Sequence, residues 1–151
     1  MSIKIEIERK FLVCNSNYKK KYSSKEKITQ AYLSKDPKRS VRIRINDKKG
    51  WITIKGESDK KGISRMEWES EIPLKTAKKL LRICLPKSIT KIRYKVPLNK
   101  EITIEVDEFL GHNKGLVLAE IELISKNQSF EKPNWLGKEV TGIKKFYNSM
   151  M

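Results

Sequence analysis

The segment Ile3-Lys4-Ile5-Glu6-Ile7-Glu8-Arg9-Lys10-Phe11-Leu12-Val13 alternates apolar and charged side chains along most of its length. Because successive side chains of a β-strand point to opposite faces, Glu6, Glu8 and Lys10 would lie together on one face. The isoleucines and Phe11 would lie on the other face. The alternation therefore predicts a strand with one charged face and one apolar face.

The same period of two returns along the rest of the chain. It is found in residues 41–45, 51–55, 66–72, 91–96, 102–107 and 119–123. The sequence Asn46-Asp47-Lys48-Lys49-Gly50, between the first two of these segments, is typical of a hairpin turn. Residues 30–33 fit a further strand that ends before Asp36-Pro37. We therefore predict a protein made mainly of antiparallel strands.

Helical periodicity is confined to two stretches. Apolar residues recur at helical spacing in residues 73–86, between two prolines, and predict a helix there. Residues 142–151 place Phe146 and Tyr147 on one stripe and predict a C-terminal helix. Residues 15–27 are rich in lysine and serine and fit either a loop or a short helix.

The composition limits the class of protein. The chain has 151 residues, 38% of them hydrophobic and 34% charged, which fits a single domain over residues 1–151. Its apolar runs are too short to span a bilayer, and charges interrupt the N-terminal region before any signal core could form. Cys14 and Cys84 lack the spacing of a metal cage and cannot build a disulfide scaffold. We therefore expect two buried thiols in a cytoplasmic protein.

The charge balance is strongly basic. Lysine and arginine number 34 against 18 acidic residues, which gives a formal net charge of +16 and a pI near 9.8. Such a chain attracts polyanions, namely nucleic acid, anionic lipid or a small phosphate-rich ligand. The lysine clusters at residues 19–21, 48–49 and 60–61 are typical of solvated loops. Because the chain shows neither a basic stripe nor a recognition helix, we expect no stable nucleic-acid partner. Because its apolar runs are short, we also expect no membrane association.

Half of the acidic residues occupy alternate positions of the predicted strands. They are Glu6, Glu8, Glu67, Glu69, Glu71, Glu105, Asp107, Glu120 and Glu122. Basic residues take equivalent positions at Lys10, Arg42, Arg44, Lys55, Lys91 and Arg93. If the sheet closes into a barrel, the charged faces point either outward to solvent or inward to the bore of the barrel. The alternation alone leaves both arrangements open.

The inward arrangement has a definite chemical consequence. Carboxylates crowded into a bore repel one another unless a cation lies between them. A hard divalent cation such as Mg²⁺ or Mn²⁺ suits carboxylate, phosphate and water oxygens. Arginine and lysine on the opposing wall would then bind a polyphosphate. Inward-pointing charges would therefore indicate a site for a metal and a polyphosphate.

The sequence Glu6-Ile7-Glu8-Arg9-Lys10 fits the E-x-E-x-K signature of the CYTH superfamily, the triphosphate tunnel metalloenzymes. Further segments follow in the family's order, from residues 30–33 to residues 135–141, so the resemblance covers about residues 3–147. It implies a mainly β (α+β) fold, an eight-stranded antiparallel closed β-barrel tunnel with a few peripheral helices. The chain resembles the short bacterial members that consist of this domain alone, which resemble inorganic triphosphatases.

The resemblance also implies a role for each matching residue. The substrate-binding residues it implies are Lys10, Arg42, Arg44, Lys55, Lys91 and Arg93. The candidates for metal coordination are Glu6, Glu8, Glu67, Glu69, Glu105, Asp107, Glu120 and Glu122, of which Glu120 and Glu122, with Glu6 and Glu8 close by, are favoured. The residues expected to act in the reaction are Lys10, Glu69, Lys91 and Arg93. The implied cofactor is Mg²⁺ or Mn²⁺.

The activity implied by the resemblance is divalent-metal-dependent hydrolysis of triphosphates. Inorganic tripolyphosphate is the first substrate expected, and nucleoside triphosphates are the second. Three alternatives stay open: a class IV-type adenylyl cyclase, a thiamine triphosphatase and a non-catalytic polyphosphate-binding module. The expected partner is a small-molecule triphosphate, and the chain could form a homodimer.

Overall fold

The structure is a computed structural model that describes residues 2–151. Its strands are β1 (Lys4–Val13), β2 (Ser24–Ser34), β3 (Arg39–Ile45), β4 (Gly50–Gly56), β5 (Ser64–Ile72), β6 (Ile89–Pro97), β7 (Thr103–Phe109), β8 (Val117–Glu122) and β9 (Leu136–Glu139). One α-helix, α1 (Leu74–Leu81), lies between β5 and β6. Short 3₁₀ turns are formed by Asn17–Lys20, Gly111–Asn113, Lys144–Phe146 and Asn148–Met150.

Eight antiparallel strands close into a ring in the order β1, β5, β4, β3, β2, β6, β7, β8 and back to β1. The first half of β1 pairs with β5, with Lys4 opposite Glu67. The second half pairs with β8, with Glu8 opposite Glu122, and this closes the barrel. The short strand β9 pairs with the far end of β1, beside Phe11. The predicted closed eight-stranded antiparallel barrel is therefore confirmed.

The strand register brings the charged faces of all the strands to the inside of the barrel. Residues directly opposite each other in neighbouring strands share a face. Lys55 lies opposite Glu67, and Arg93 lies opposite Asp107. The charged side chains on this face are buried. They are Glu6, Lys10, Lys55, Glu67, Lys91, Arg93 and Asp107. Of the two arrangements that the sequence left open, the structure shows the inward one.

The apolar outer face of the barrel is covered in two places. Helix α1 packs on β3 and β4, where the absence of a side chain at Gly50 is essential, since a Cβ there would lie 2.3 Å from the Cβ of Ala77. Tyr18 and Trp135, from the loops before β2 and before β9, pack edge to face with each other over the outer side of β6 to β8. This burial of apolar surface stabilises the barrel from outside and leaves the bore to polar groups.

Several predictions about the connecting segments differ from the structure. The predicted helix over residues 142–151 is wrong, because Ile143 and Tyr147 have extended backbones that divide the stretch into two 3₁₀ turns. The ambiguous residues 15–27 contain one 3₁₀ turn and the start of β2. The cysteines are not buried thiols, since Cys14 is exposed and Cys84 is half-buried. Within residues 2–151 no helix has the length and apolar character needed to cross a membrane.

Candidate active site

Arg42 and Arg44 extend from β3 into the bore beside Glu69 of β5. Their Nη2 atoms lie 3.7 and 3.6 Å from the same Glu69 oxygen. Thr53 donates a hydrogen bond of 2.6 Å to that oxygen and accepts one from Arg42. Burial favours the protonated Glu69 carboxyl, but the Thr53 hydrogen bond and the two arginines outweigh it and lower its pKa. Glu69 is therefore an ionised anchor that both guanidinium groups share.

The same two arginines keep unused hydrogen-bonding capacity in the bore. Their Nε atoms are buried and have no hydrogen-bond partner among residues 2–151. Burial, together with repulsion from Arg42 and Arg93, lowers the pKa of Arg44 to about 10. Arg44 thus remains charged at neutral pH, and the bore presents buried cationic donors that lack an acceptor.

Lys91 and Arg93 share one buried carboxylate on the neighbouring strand. Arg93 binds Asp107 of β7 through two nearly parallel hydrogen bonds of 2.8 and 2.9 Å. Lys91 Nζ lies 2.9 Å from Asp107 Oδ2, and the side chains of Lys91 and Asp107 are both 1% exposed. Burial favours the protonated acid, but Arg93 and Lys91 overcome it and lower the pKa of Asp107. The carboxylate is thus fully engaged by two cations.

Three carboxylates form a separate cluster where β1, β5 and β8 meet. Glu6, Glu67 and Glu122 each present an oxygen within 4.8 Å of the others. Lys55 Nζ lies 3.0 Å from both oxygens of Glu6 and 3.4 Å from Glu67. Lys4 Nζ bridges Glu67 and Glu122 at 3.2 and 3.1 Å. Such an all-oxygen group has the chemistry that Mg²⁺ and Mn²⁺ prefer, so these residues fit a hard divalent cation.

Glu8 and Glu120 form a second carboxylate pair, next to this cluster along β1 and β8. Burial, with repulsion from Glu120 and Glu6, raises the pKa of Glu8 well above its usual range. Desolvation disfavours the charged form of Glu120 as well, but Lys10, Arg93 and Lys91 hold its pKa well below the usual range, helped by a hydrogen bond from Glu8. Lys10 Nζ lies 3.7 Å from Glu120. The environment therefore drives the pKa values of the two carboxyl groups apart, upward for Glu8 and downward for Glu120.

The C-terminal residues reach into the bore and contact two of its lysines. Lys10 Nζ donates to the carbonyl oxygen of Phe146 at 3.0 Å. Lys91 Nζ donates to Asn148 Oδ1 at 3.1 Å, and Gln30 Nε2 donates to the same atom at 3.3 Å. These contacts explain why the segment is not a regular helix, since its backbone and side-chain oxygens turn toward the bore. A ligand that approached both lysines would therefore meet these oxygens, either replacing them or using the remaining ammonium hydrogens.

The structure brings most of the predicted site residues into one connected cavity. Its wall includes Glu6, Glu8, Lys10, Arg42, Lys55, Lys91, Arg93 and Glu120. Arg44 and Glu105 lie in an adjoining open cavity of about 400 Å³ that shares Arg93 and contains Trp51. Glu67 belongs to the same site because it contacts Lys4 and Lys55. Glu69 belongs to it because it contacts Arg42 and Arg44. Glu122 reaches the carboxylate cluster from a half-exposed position.

Sequence reasoning missed several polar residues of the bore. They are Lys4, Gln30, Thr53, Arg65 and Asn148. Arg65 shares the face of Glu6 in the β1–β5 pairing, and its Nε lies 3.6 Å from Glu6. Strand parity could have found Lys4 and Thr53, which alternate with predicted site residues in their strands. Asn148 carried no such signal because its segment has no strand period.

Comparison with known proteins agrees with this architecture. The CYTH domain family matches residues 4–147. The inorganic triphosphatase of Acetivibrio thermocellus is 46% identical over 145 residues, 95% of this chain and 90% of the relative. That of Nitrosomonas europaea is 32% identical over 150 residues, 97% of this chain and 95% of the relative.

Solved structures show the same fold. The crystal structure of the inorganic triphosphatase NE1496 superposes with a TM-score of 0.65 at 30% identity, covering 96% of this chain and 95% of that one. The putative adenylyl cyclase HpAC1 from Hippeastrum, at 15% identity and a TM-score of 0.64 over 80% of each chain, shares the fold. With the family match, the two relatives and the closed charged barrel in agreement, this chain belongs to the CYTH domain family.

Proposed function

We propose that the protein is a divalent-metal-dependent triphosphatase whose preferred substrate is inorganic tripolyphosphate. The relatives named inorganic triphosphatase support the reaction class. The observation that carries the proposal is the pair of buried Nε donors of Arg42 and Arg44 without an acceptor among the described residues. Buried donors without acceptors are costly, so an anionic ligand in the bore is their natural complement.

The cations of the bore are proposed to bind the phosphate chain. Arg42 and Arg44 can each give parallel hydrogen bonds to phosphate oxygens, since Glu69 already fixes one side of each guanidinium. Lys10 and Lys91 become available when phosphate oxygens replace Phe146 O and Asn148 Oδ1. Lys55 and Arg93 add charge from β4 and β6. All six implied substrate-binding residues keep this role in the proposal.

The proposed roles of the carboxylates divide according to their partners. Glu6, Glu67 and Glu122 would hold the metal, because their oxygens lie close together. They adjoin the six proposed phosphate-binding residues Lys10, Arg42, Arg44, Lys55, Lys91 and Arg93, which together form the basic wall of the bore. Glu8 and Glu120 lie next to the three carboxylates along β1 and β8 and would complete the metal shell or orient water. Glu69 and Asp107 are better suited to positioning arginine and lysine, since cations already engage their oxygens. Glu105 is half-buried, 3.5 Å from Arg93, and would act the same way.

The proposed reaction is hydrolysis of a terminal phosphoanhydride bond. A water molecule attacks the terminal phosphorus in line, the bridging P–O bond breaks, and tripolyphosphate yields orthophosphate and pyrophosphate. The bound metal would supply Lewis-acid polarisation of phosphate oxygens and a more acidic water. Glu120, ionised and close to Glu8, can orient the water. Lys10, Lys91 and Arg93 offset the charge that develops on the leaving pyrophosphate.

Phosphate release tests this proposal directly. The wild-type protein should release orthophosphate from tripolyphosphate with Mg²⁺ or Mn²⁺ and release none with excess chelator. Glu122→Ala should lower the rate at limiting metal because it removes an oxygen from the carboxylate cluster. Metal-independent hydrolysis, or equal rates for both proteins across a metal titration, would contradict the metal role.

The adjoining cavity supports nucleoside triphosphates as second substrates. Trp51 lies in it with one ring face 4.9 Å from the Arg44 guanidinium carbon. A cavity of about 400 Å³ falls within the range of about 300–1,000 Å³ typical of small-molecule sites, so a nucleoside has room. With ATP, orthophosphate as the product supports hydrolysis, whereas cyclic AMP with pyrophosphate would favour the adenylyl cyclase alternative. Binding without any product would favour the polyphosphate-binding module.

The pH dependence of substrate binding should follow the protonation of the Lys91 ammonium group. Burial lowers the pKa of its ammonium group to about 8, and Asp107 offsets only part of that effect. Below this pH Lys91 is charged and attracts phosphate, and above it the neutral amine does not. We expect kcat/KM for tripolyphosphate to fall about five- to tenfold between pH 8 and pH 9 at constant free metal. Lys91→Met should remove this decline, and an unchanged decline in that variant would assign it to another group.

A further inference from the structure

Lys4 lies at the start of β1, immediately before the E-x-E-x-K segment, and its side chain is on the face that points into the bore. Its Nζ lies 3.2 Å from Glu67 Oε1 and 3.1 Å from Glu122 Oε1. It thus lies between two of the three carboxylates that could hold a divalent cation. Any ion that bound both oxygens would have to displace the ammonium group.

The second lysine of the cluster is held quite differently. Lys55 has a side chain 11% exposed and bonds to both oxygens of Glu6, so it is part of the wall. The Lys4 side chain is 56% exposed and hangs on a flexible four-carbon stem. Lys4 can therefore leave the cluster and extend into water without creating a buried unpaired charge. Of these two ammonium groups, only that of Lys4 can yield its place easily.

The charges of the cluster balance within the chain. Glu6, Glu67 and Glu122 face Lys4, Lys55 and Arg65, three carboxylates against three cations. The Lys4 ammonium group lies within 3.2 Å of an oxygen of each of Glu67 and Glu122. Without metal, Lys4 thus relieves the repulsion between Glu67 and Glu122. With metal, the same ammonium becomes a like charge that opposes it.

We propose that Lys4 is a tethered cation that competes with the divalent metal for Glu67 and Glu122. It keeps the carboxylate cluster neutral in the free protein and leaves when the metal arrives. Free metal alone is then held weakly, and binding becomes favourable when the oxygens of a triphosphate complete the coordination shell. The inference rests on the proposed function, because it assumes that this cluster holds the metal.

The test compares metal binding by variants of Lys4 without substrate. Calorimetric titration with MgCl₂ and with MnCl₂ at constant ionic strength should show Lys4→Met binding each ion about five- to tenfold more tightly than the wild type. Lys4→Arg keeps a mobile cation and should bind as the wild type does. Thermal melting gives a second readout, since metal should raise the Tm of Lys4→Met more than that of the wild type.

Lys49→Met is the matched control. Lys49 pairs with Glu71 at 3.3 Å, and its side chain is 55% exposed, like that of Lys4. Glu71 lies four residues beyond Glu67 on β5, about 13 Å away. If net charge alone governed metal affinity, both methionine variants would bind more tightly, and that result would overturn the proposal.

Two other results of the metal titration would also refute the proposed competition. Equal affinities in the wild type and Lys4→Met would show that Lys4 does not compete, and weaker binding by Lys4→Met would show that it organises the carboxylates instead. Either result overturns the inference while leaving metal-dependent hydrolysis intact. By contrast, a wild type that hydrolyses tripolyphosphate with excess chelator present would refute the metal dependence itself, so the two failures are distinguishable.

Discussion

Glu6→Gln should lower kcat/KM for tripolyphosphate by at least about 100-fold at limiting Mg²⁺. Glu6 is buried and lies where the carboxylate cluster meets the basic wall, bonded to Lys55 and near Arg65. Glutamine keeps the size and one oxygen but removes the negative charge. The variant therefore loses a metal ligand and leaves Lys55 with a weaker partner. A metal titration of the initial rate should show a requirement for more Mg²⁺, with partial recovery at high concentration.

Glu71→Gln is the control for this loss. Glu71 is on the same strand and the same face as Glu67 and Glu69, but it is exposed and pairs only with Lys49 among the contacts described. It should keep its rate within about twofold, as expected for an exposed ion pair. Melting curves for both variants separate loss of metal from loss of fold. A Glu6→Gln protein with wild-type rates and metal requirement would remove the cluster from the mechanism.

The position of Glu6 shows how far strand alternation determines the site. The period of two in residues 3–13 predicts that Glu6, Glu8 and Lys10 share a face, and the structure confirms it. Which way that face points could not be deduced, because a solvated sheet face alternates in the same way. Closure of the ring gives the sheet an inner and an outer face. The apolar face lies outside, where α1 and the aromatic residues Tyr18 and Trp135 cover it, and the charged face therefore lies inside.

Contacts between residues that are distant in the sequence could not be predicted from the alternation of apolar and charged residues. Lys4 and Glu122 are 118 residues apart and meet only because β1 and β8 are neighbours. The Lys91–Asn148 contact depends on a C-terminal segment whose apolar spacing suggested a helix. Helical spacing over ten residues is weak evidence, since so short a helix is marginal without tertiary support. Here the lysines of the bore bind oxygens of the segment instead.

Local propensity and alternation were nevertheless sufficient for the scaffold. The hairpin predicted at residues 46–50 joins β3 to β4, and the helix predicted between Pro73 and Pro86 contains α1. Gly50 carries a packing role that no pattern indicates, because Ala77 occupies the space its side chain would need. The sequence thus predicts elements and faces, whereas packing between distant elements requires coordinates.

Asp107→Asn should destabilise the protein strongly and should not be rescued by metal. The change leaves Lys91 and Arg93 buried without the charged partner that binds them at 2.8 to 2.9 Å. Breaking a buried ion pair by removing one partner costs about 3–5 kcal/mol. For a domain of this size that corresponds to a fall in Tm of about 10 °C, measured by calorimetry without ligand. If Asp107 were instead a metal ligand, excess Mg²⁺ would restore activity at nearly unchanged stability.

Glu105→Gln separates the effect of burial from that of charge. Glu105 is on the same strand and face as Asp107 and also contacts Arg93, at 3.5 Å, but its side chain is 31% exposed. Its loss should cost no more than about 1 kcal/mol, because water can solvate the guanidinium from that side. Tripolyphosphate should restore part of the stability of Asp107→Asn, since its oxygens supply negative charge to Lys91 and Arg93. Equal melting temperatures for the two variants would show that Asp107 does not balance the basic wall, and a metal role for it would regain support.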